Sequence, residues 1–131
     1  MERIRERLQI AGQALATLDE LVGAAEVSAV IRDASIQRFE YSFEAVWKAS
    51  QLYLREMEGV EQASPKGVIR ASFQVGLLDE GQAALALHMT DQRNLTAHTY
   101  NQDLAAAIHS QLPAFARLMA AWLKAINSRT V

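Results

Sequence analysis

A run of mostly apolar residues, Ile36, Phe39, Phe43, Val46, Ser50, Tyr53 and Met57, steps through the middle of the chain by threes and fours. At about 100° per residue, those steps keep every member on one face of a helix. A 3-4 alternation held over this length is the seam of a helical bundle. Other helices must therefore cover this stripe.

The rest of the chain supplies them. Glu2 to about Val22 carries Ile4, Leu8, Ala11, Leu15, Leu18 and Leu21 or Val22 on one stripe, opposite Arg5, Gln9, Gln13 and Glu20, and Gly23 ends it. The central helix starts between Val27 and Ser35 and runs to about Met57, with Gly59 as its stop. Ser64-Pro65 supplies an N-cap and a first-turn proline for a short helix over Lys66 to about Val75. That helix presents Val68, Ile69, Ser72 and Phe73 and stops at Gly76. Asp79 caps a helix from Glu80 to about Thr99, and a last helix runs from about Gln102 to about Asn127. Pro113 lies inside that last helix, where it deletes a hydrogen bond and predicts a kink or a split. The expected fold is all-α: an up-and-down bundle of four main helices plus one short one, with residues 1–131 forming one domain. At 131 residues, about two thirds of the unfolded surface can be buried.

Composition narrows the function. The absence of cysteine excludes disulfides and thiolate metal sites and predicts a reducing, cytoplasmic setting. The opening Met1-Glu2-Arg3-Ile4-Arg5-Glu6-Arg7 alternates charge, unlike a signal peptide, and no apolar run approaches the roughly 20 residues that span a bilayer. A net charge of −2 argues against a broadly basic nucleic-acid surface, so any RNA contact has to be local.

Chemistry gathers in Arg93-Asn94-Leu95-Thr96-Ala97-His98-Thr99-Tyr100, at the expected end of a helix. On an intact helix Arg93 and His98 lie roughly 140° apart, whereas Asn94 and His98 share a face. The helix ends near Tyr100 and Asn101, which leaves the phenol near the imidazole. A guanidinium can span such an offset and fork onto two phosphate oxygens, and a neutral imidazole can take a proton from a ribose hydroxyl. Those are the needs of metal-free RNA cleavage. The same residue types at a helix C-terminus also satisfy carbonyls and complement the dipole, and spacing alone leaves both roles open.

Other candidates carry less. Glu40, Glu44 and Lys48 stand four apart and read as helix-stabilising pairs, with Glu40 or Glu44 orienting a group in an active groove as the other reading. No metal is expected. The bundle di-iron pattern needs Glu three residues before His, but Leu85, Leu95 and Ala106 precede His88, His98 and His109. No two histidines stand four apart. His88 and His109 read as surface or rim residues, and Trp47 and Trp122 as core or a dimer seam. With no glycine-rich phosphate loop, no cofactor is expected.

The spacing Arg93, four residues, His98, one residue, Tyr100 resembles the R-x4-H-x-Y signature of HEPN domains. More specifically, the chain resembles the bacterial nucleotidyltransferase substrate-binding proteins, which are encoded beside a minimal, MNT-type nucleotidyltransferase. Ile36 to Lys48, Ser64-Pro65 to Gly76-Leu77, and Arg93 to Asn101 match that branch in order, over nearly the full chain. Two departures stand out: Ala83-Ala84-Leu85 where relatives often carry tryptophan, and Ala97 where they often carry serine.

The resemblance implies a HEPN-like bundle that forms a homodimer with both motifs facing a shared groove, in complex with an MNT-type nucleotidyltransferase chain. It implies His98 as base, Arg93 as phosphate clamp, Asn94 as polar helper and Tyr100 as the residue that the transferase modifies with AMP. Two functions follow from different classes. One is a toxin-like, metal-independent ribonuclease acting on RNA such as tRNA and silenced by its partner. The other is a non-catalytic subunit presenting substrate or nucleotide to the transferase, which the acidic balance and the lack of a basic stripe favour.

Overall fold

A computed structural model describes residues 2–130. The helices are α1 (Glu2–Val22), α2 (Ala29–Met57), α3 (Pro65–Gln74), α4 (Glu80–Asn94) and α5 (Gln102–Arg129), with a 3-10 turn, Leu95–His98, between the last two. No strand occurs among the described residues. The four long helices and one short one match the expected all-α architecture.

Local chemistry sets the boundaries. Ser28 caps α2 through Ile31 N–H at 3.2 Å, and Ser64 caps α3 through Gly67 N–H at 3.1 Å with Pro65 in the first turn. Asp79 and Gln82 exchange side-chain and backbone bonds of 2.7 and 2.9 Å, forming a capping box on α4. At the end of α3, Gly76 takes φ +81°, which lets Leu77 N–H reach back to Ser72 O at 2.9 Å.

α2 is the spine, packed against α1 on one flank and α5 on another, while α3 and α4 close the remaining side. Of its seven expected stripe residues, Ile36, Phe39, Phe43, Val46, Ser50 and Tyr53 are buried. Phe39 stacks on Phe115 of α5 with centroids 5.4 Å apart. A polar seam crosses the same core: the Trp122 indole donates to Ser50 Oγ at 3.1 Å, and Ser50 meets Ser72 at 2.9 Å. Three helices are thereby fixed in register by groups that burial leaves no water to satisfy.

Four expectations need correction. Met57 ends the α2 stripe exposed, because the helix stops there and the core stripe ends at Tyr53 and Leu54. Phe73 of α3 is also exposed, the helix turning Val68, Ile69 and Ser72 inward instead. Of the two outcomes expected at Pro113, the split does not occur: α5 is one helix, with Leu112, Phe115 and Ala116 buried on its core face, and it continues to Arg129. α4 ends at Asn94 rather than near Thr99.

Candidate functional site

The shorter α4 reshapes the site. Thr96 Oγ1 donates to Arg93 O at 2.7 Å and Thr99 Oγ1 to Thr96 O at 3.1 Å. The backbone itself winds as a 3-10 turn over Leu95–His98, with three residues per turn rather than 3.6. Asn94 and His98 consequently do not share an α-helical face, which corrects the spacing argument. Asn94 is exposed and its side chain caps nothing.

Arg93, in the last turn of α4, faces α2. Its Nη1 lies 3.8 Å from Glu40 Oε2 and its Nε 3.9 Å from Glu44 Oε1. Nη1 donates to Thr96 Oγ1 at 3.0 Å, and Thr96 is buried. The Nε is buried with no hydrogen bond, and Nη2 donates no hydrogen bond among the described residues. The guanidinium is thus anchored through Nη1, with its side chain about one quarter exposed.

Glu44 is held in turn by the Trp47 indole, which donates to Oε2 at 3.1 Å, and Lys48 approaches that oxygen at 4.0 Å. The Glu44–Lys48 pair read from spacing is present, but both carboxylates also meet the motif arginine across the helix interface.

His98 closes the 3-10 turn and is exposed. Tyr100, at 83% exposure, follows in a turn closed by Asn101 N–H to His98 O at 3.0 Å. Asn101 then caps α5 by accepting from Leu104 N–H at 3.2 Å. This back-to-back arrangement pushes Tyr100 outward. The imidazole meets the phenol edge-on, centroids 6.0 Å apart, and neither ring has a hydrogen bond among the described residues.

The structure therefore gathers two groups on neighbouring turns: Arg93 with Glu40 and Glu44, and His98 with Tyr100. No hydrogen bond or ion pair joins them among the described residues. Sequence reasoning missed Thr96 and Trp47 as supports, although each stands three residues beyond the group it holds. His88 is exposed and bonded to Gln111, whose amide donates to Gln92 Oε1 at 2.9 Å, and His109 is half-buried. Among the described residues no three His, Cys, Asp or Glu side chains gather as a metal-holding group, and no helix is long and apolar enough to cross a membrane.

Comparison with known proteins adds a lineage. Residues 6–128 match the family described as nucleotidyltransferase substrate binding protein like. A Thermus thermophilus protein of known crystal structure is 59% identical with a TM-score of 0.87, covering 88% of this chain and 98% of that one. A Haemophilus influenzae protein, whose structure is described as the fold of a substrate binding domain of a nucleotidyltransferase, is 21% identical with a TM-score of 0.74 over 92% of this chain and 98% of its own. The toxin–antitoxin MntA–HepT mutant aligns at 13% identity and a TM-score of 0.80 over 98% of this chain and 99% of its own. Those two likenesses establish the fold. Probable ribonuclease HepT of Haemophilus influenzae is 28% identical over 85 residues, 62% of this chain. The match spans 57% of that curated relative's length.

Proposed function

This chain belongs to the nucleotidyltransferase substrate binding protein like family, with a HEPN-type fold, and from that premise we propose that it is a toxin-like ribonuclease governed by a nucleotidyltransferase partner. One observation carries the reading: His98 and Tyr100 stand exposed and edge-to-face, one turn beyond an arginine whose Nη2 donates no hydrogen bond among the described residues.

In the proposed reaction His98 takes the proton of a ribose 2′-hydroxyl. The freed oxygen attacks the adjacent phosphorus, and the 5′-oxygen leaves and is reprotonated. The products are a 2′,3′-cyclic phosphate and a 5′-hydroxyl. Arg93 Nη2 holds a phosphoryl oxygen as charge builds, and Asn94 adds a polar contact. Tyr100 is the acceptor through which the partner silences the site: its oxygen attacks the α-phosphorus of ATP and pyrophosphate departs. A phosphodiester on Tyr100 would crowd His98 and bring negative charge where RNA must bind. The names of the HepT and MntA–HepT relatives support this pairing. A homodimer with the two motifs across one groove completes the reading.

A second reading has its own observation. Glu40 and Glu44 already face Arg93, so the site is less positive than a dedicated nuclease cleft. On that reading the chain is a non-catalytic subunit that presents substrate to the transferase.

Cleavage of a total tRNA pool in EDTA, wild type against His98→Ala, separates the two. Cutting by wild type alone supports the metal-independent nuclease. No cutting by either sinks it and leaves the binding subunit, for which AMP on Tyr100 after incubation with partner and ATP is the next assay.

A further inference from the structure

The four side chains Arg3, Arg7, Lys48 and Arg55 are scattered in sequence, yet the packing of α1 on α2 brings them around one cleft of about 250 Å³, with Gln51 and Leu52. Arg3 and Arg7 stand one turn apart on α1, and α2 supplies the other two cations. Glu56 pairs with both Arg3 at 3.1 Å and Arg55 at 3.9 Å, so one carboxylate is shared between two guanidiniums. Lys48 shares Glu44 with Arg93. Arg7 has no ion pair among the described residues. A chain of net charge −2 thus concentrates positive charge in one place.

The placement of that charge is informative. Taken at about 100° per residue, Glu40, Glu44, Lys48, Gln51, Leu52 and Arg55 fall within an arc of about 120° on α2, opposite the core stripe. At about 1.5 Å per residue, Lys48 lies roughly 6 Å along the axis from Glu44, and Arg55 roughly 16 Å. The cleft therefore begins one helical turn from the carboxylate that touches Arg93 and leads away from it along one face. A simple α1–α2 staple needs only Arg3 and Glu56. It gives no reason for Arg7 and Arg55 to crowd the same opening.

We infer that this cleft is a second phosphate subsite, which holds the backbone of single-stranded RNA flanking the bond at the Arg93–His98 motif. Guanidiniums fork onto phosphate oxygens, and exposed cations that release counterions supply affinity without reading sequence. The inference rests on the nuclease reading for the identity of the polyanion, and its test is built to fail separately from that reading.

The test titrates a fluorescently labelled single-stranded RNA against full-length His98→Ala by anisotropy across a range of salt, with and without Arg7→Gln and Arg55→Gln added. Both arginines are exposed, so circular dichroism is expected to show an unchanged fold. The expected result is at least a tenfold loss of affinity and a salt slope shallower by about 1.4, roughly 0.7 for each of two lost phosphate contacts. With His98 intact, Arg7→Gln with Arg55→Gln is expected to cut a dinucleotide as wild type does but a long RNA poorly, because a dinucleotide cannot span to Arg55. Equal affinity and slope in the two proteins overturn the subsite, even where wild type cuts RNA and His98→Ala does not. Unchanged RNA binding with lost binding of the nucleotidyltransferase chain overturns it in favour of an acidic protein surface. A wild type that cuts nothing, with the slope still shallower in the variant, sinks the nuclease reading and upholds the cleft only as a site for RNA phosphates.

Discussion

Arg93 Nη1 lies 3.8 Å from Glu40 Oε2, close enough for attraction but too long for a hydrogen bond. Glu40 is about one third exposed, and pairs of this kind typically contribute about 0.2–1 kcal/mol. Glu40 therefore offsets the charge of Arg93 without fixing its position, which Thr96 does. Glu40→Gln is expected to change stability by under about 1 kcal/mol and to tighten RNA binding by up to about fivefold. Urea denaturation and anisotropy check both numbers. A cleavage rate that falls more than about tenfold in Glu40→Gln would show that this carboxylate positions the arginine after all.

Thr96 holds that arginine more directly. Its hydroxyl donates to Arg93 O at 2.7 Å and accepts from Nη1 at 3.0 Å, with the side chain buried. Thr96→Val keeps the shape and removes both bonds, leaving a carbonyl and a guanidinium short of partners, at a cost of about 1–3 kcal/mol. Cleavage is expected to fall about tenfold, an activation penalty near 1.4 kcal/mol, through kcat more than KM. Thr96→Ser, which keeps the hydroxyl, should restore the rate. If serine fails to rescue, the loss reflects the methyl group's packing and not the arginine.

The same turn shows where sequence reading stops. The bundle was legible because Phe39, Phe43, Val46 and Ser50 repeat at helical spacing, and because Ser64-Pro65 and Asp79 announce helix starts. The motif residues were legible as chemistry. Their mutual geometry was not, because α4 gives way to a 3-10 turn after Asn94, and a switch of four residues is too short to leave a periodic trace. Nor could spacing pair Arg93 with Glu40 and Glu44, since that contact depends on how α4 crosses α2. The cleft around Arg7 and Arg55 was hidden for the same reason: each helix carries only half of it.

Two glycines should respond to alanine with opposite signs. Gly12 lies inside α1, and a Cβ there meets nothing within 4 Å. Gly12→Ala should stabilise by about 0.5–1 kcal/mol, the usual gain in an exposed helix interior. Gly76 holds φ +81°, a left-handed conformation that closes α3, and a Cβ there would lie 3.3 Å from Arg129 Nη2. The arginine end can shift, so the backbone sets the cost, about 1–2 kcal/mol of destabilisation. Chemical denaturation of both variants gives the comparison. A destabilised Gly12→Ala would mean that this face of α1 is covered in the folded assembly.

Tyr100 offers the most discriminating single-atom change. Its ring meets His98 edge-on at 6.0 Å, while its hydroxyl bonds to nothing among the described residues. Tyr100→Phe retains the ring contact and removes only the proposed acceptor oxygen. Stability should move by no more than about 0.5 kcal/mol, as for other exposed substitutions. RNA cleavage should persist, while mass gain on incubation with the nucleotidyltransferase and ATP should vanish. The variant would then be an active nuclease that its partner cannot silence, and its expression beside the partner should slow growth where wild type does not. Persisting AMP on Tyr100→Phe would place the modification on another residue. Lost cleavage with intact folding would move the hydroxyl from regulation into the reaction itself.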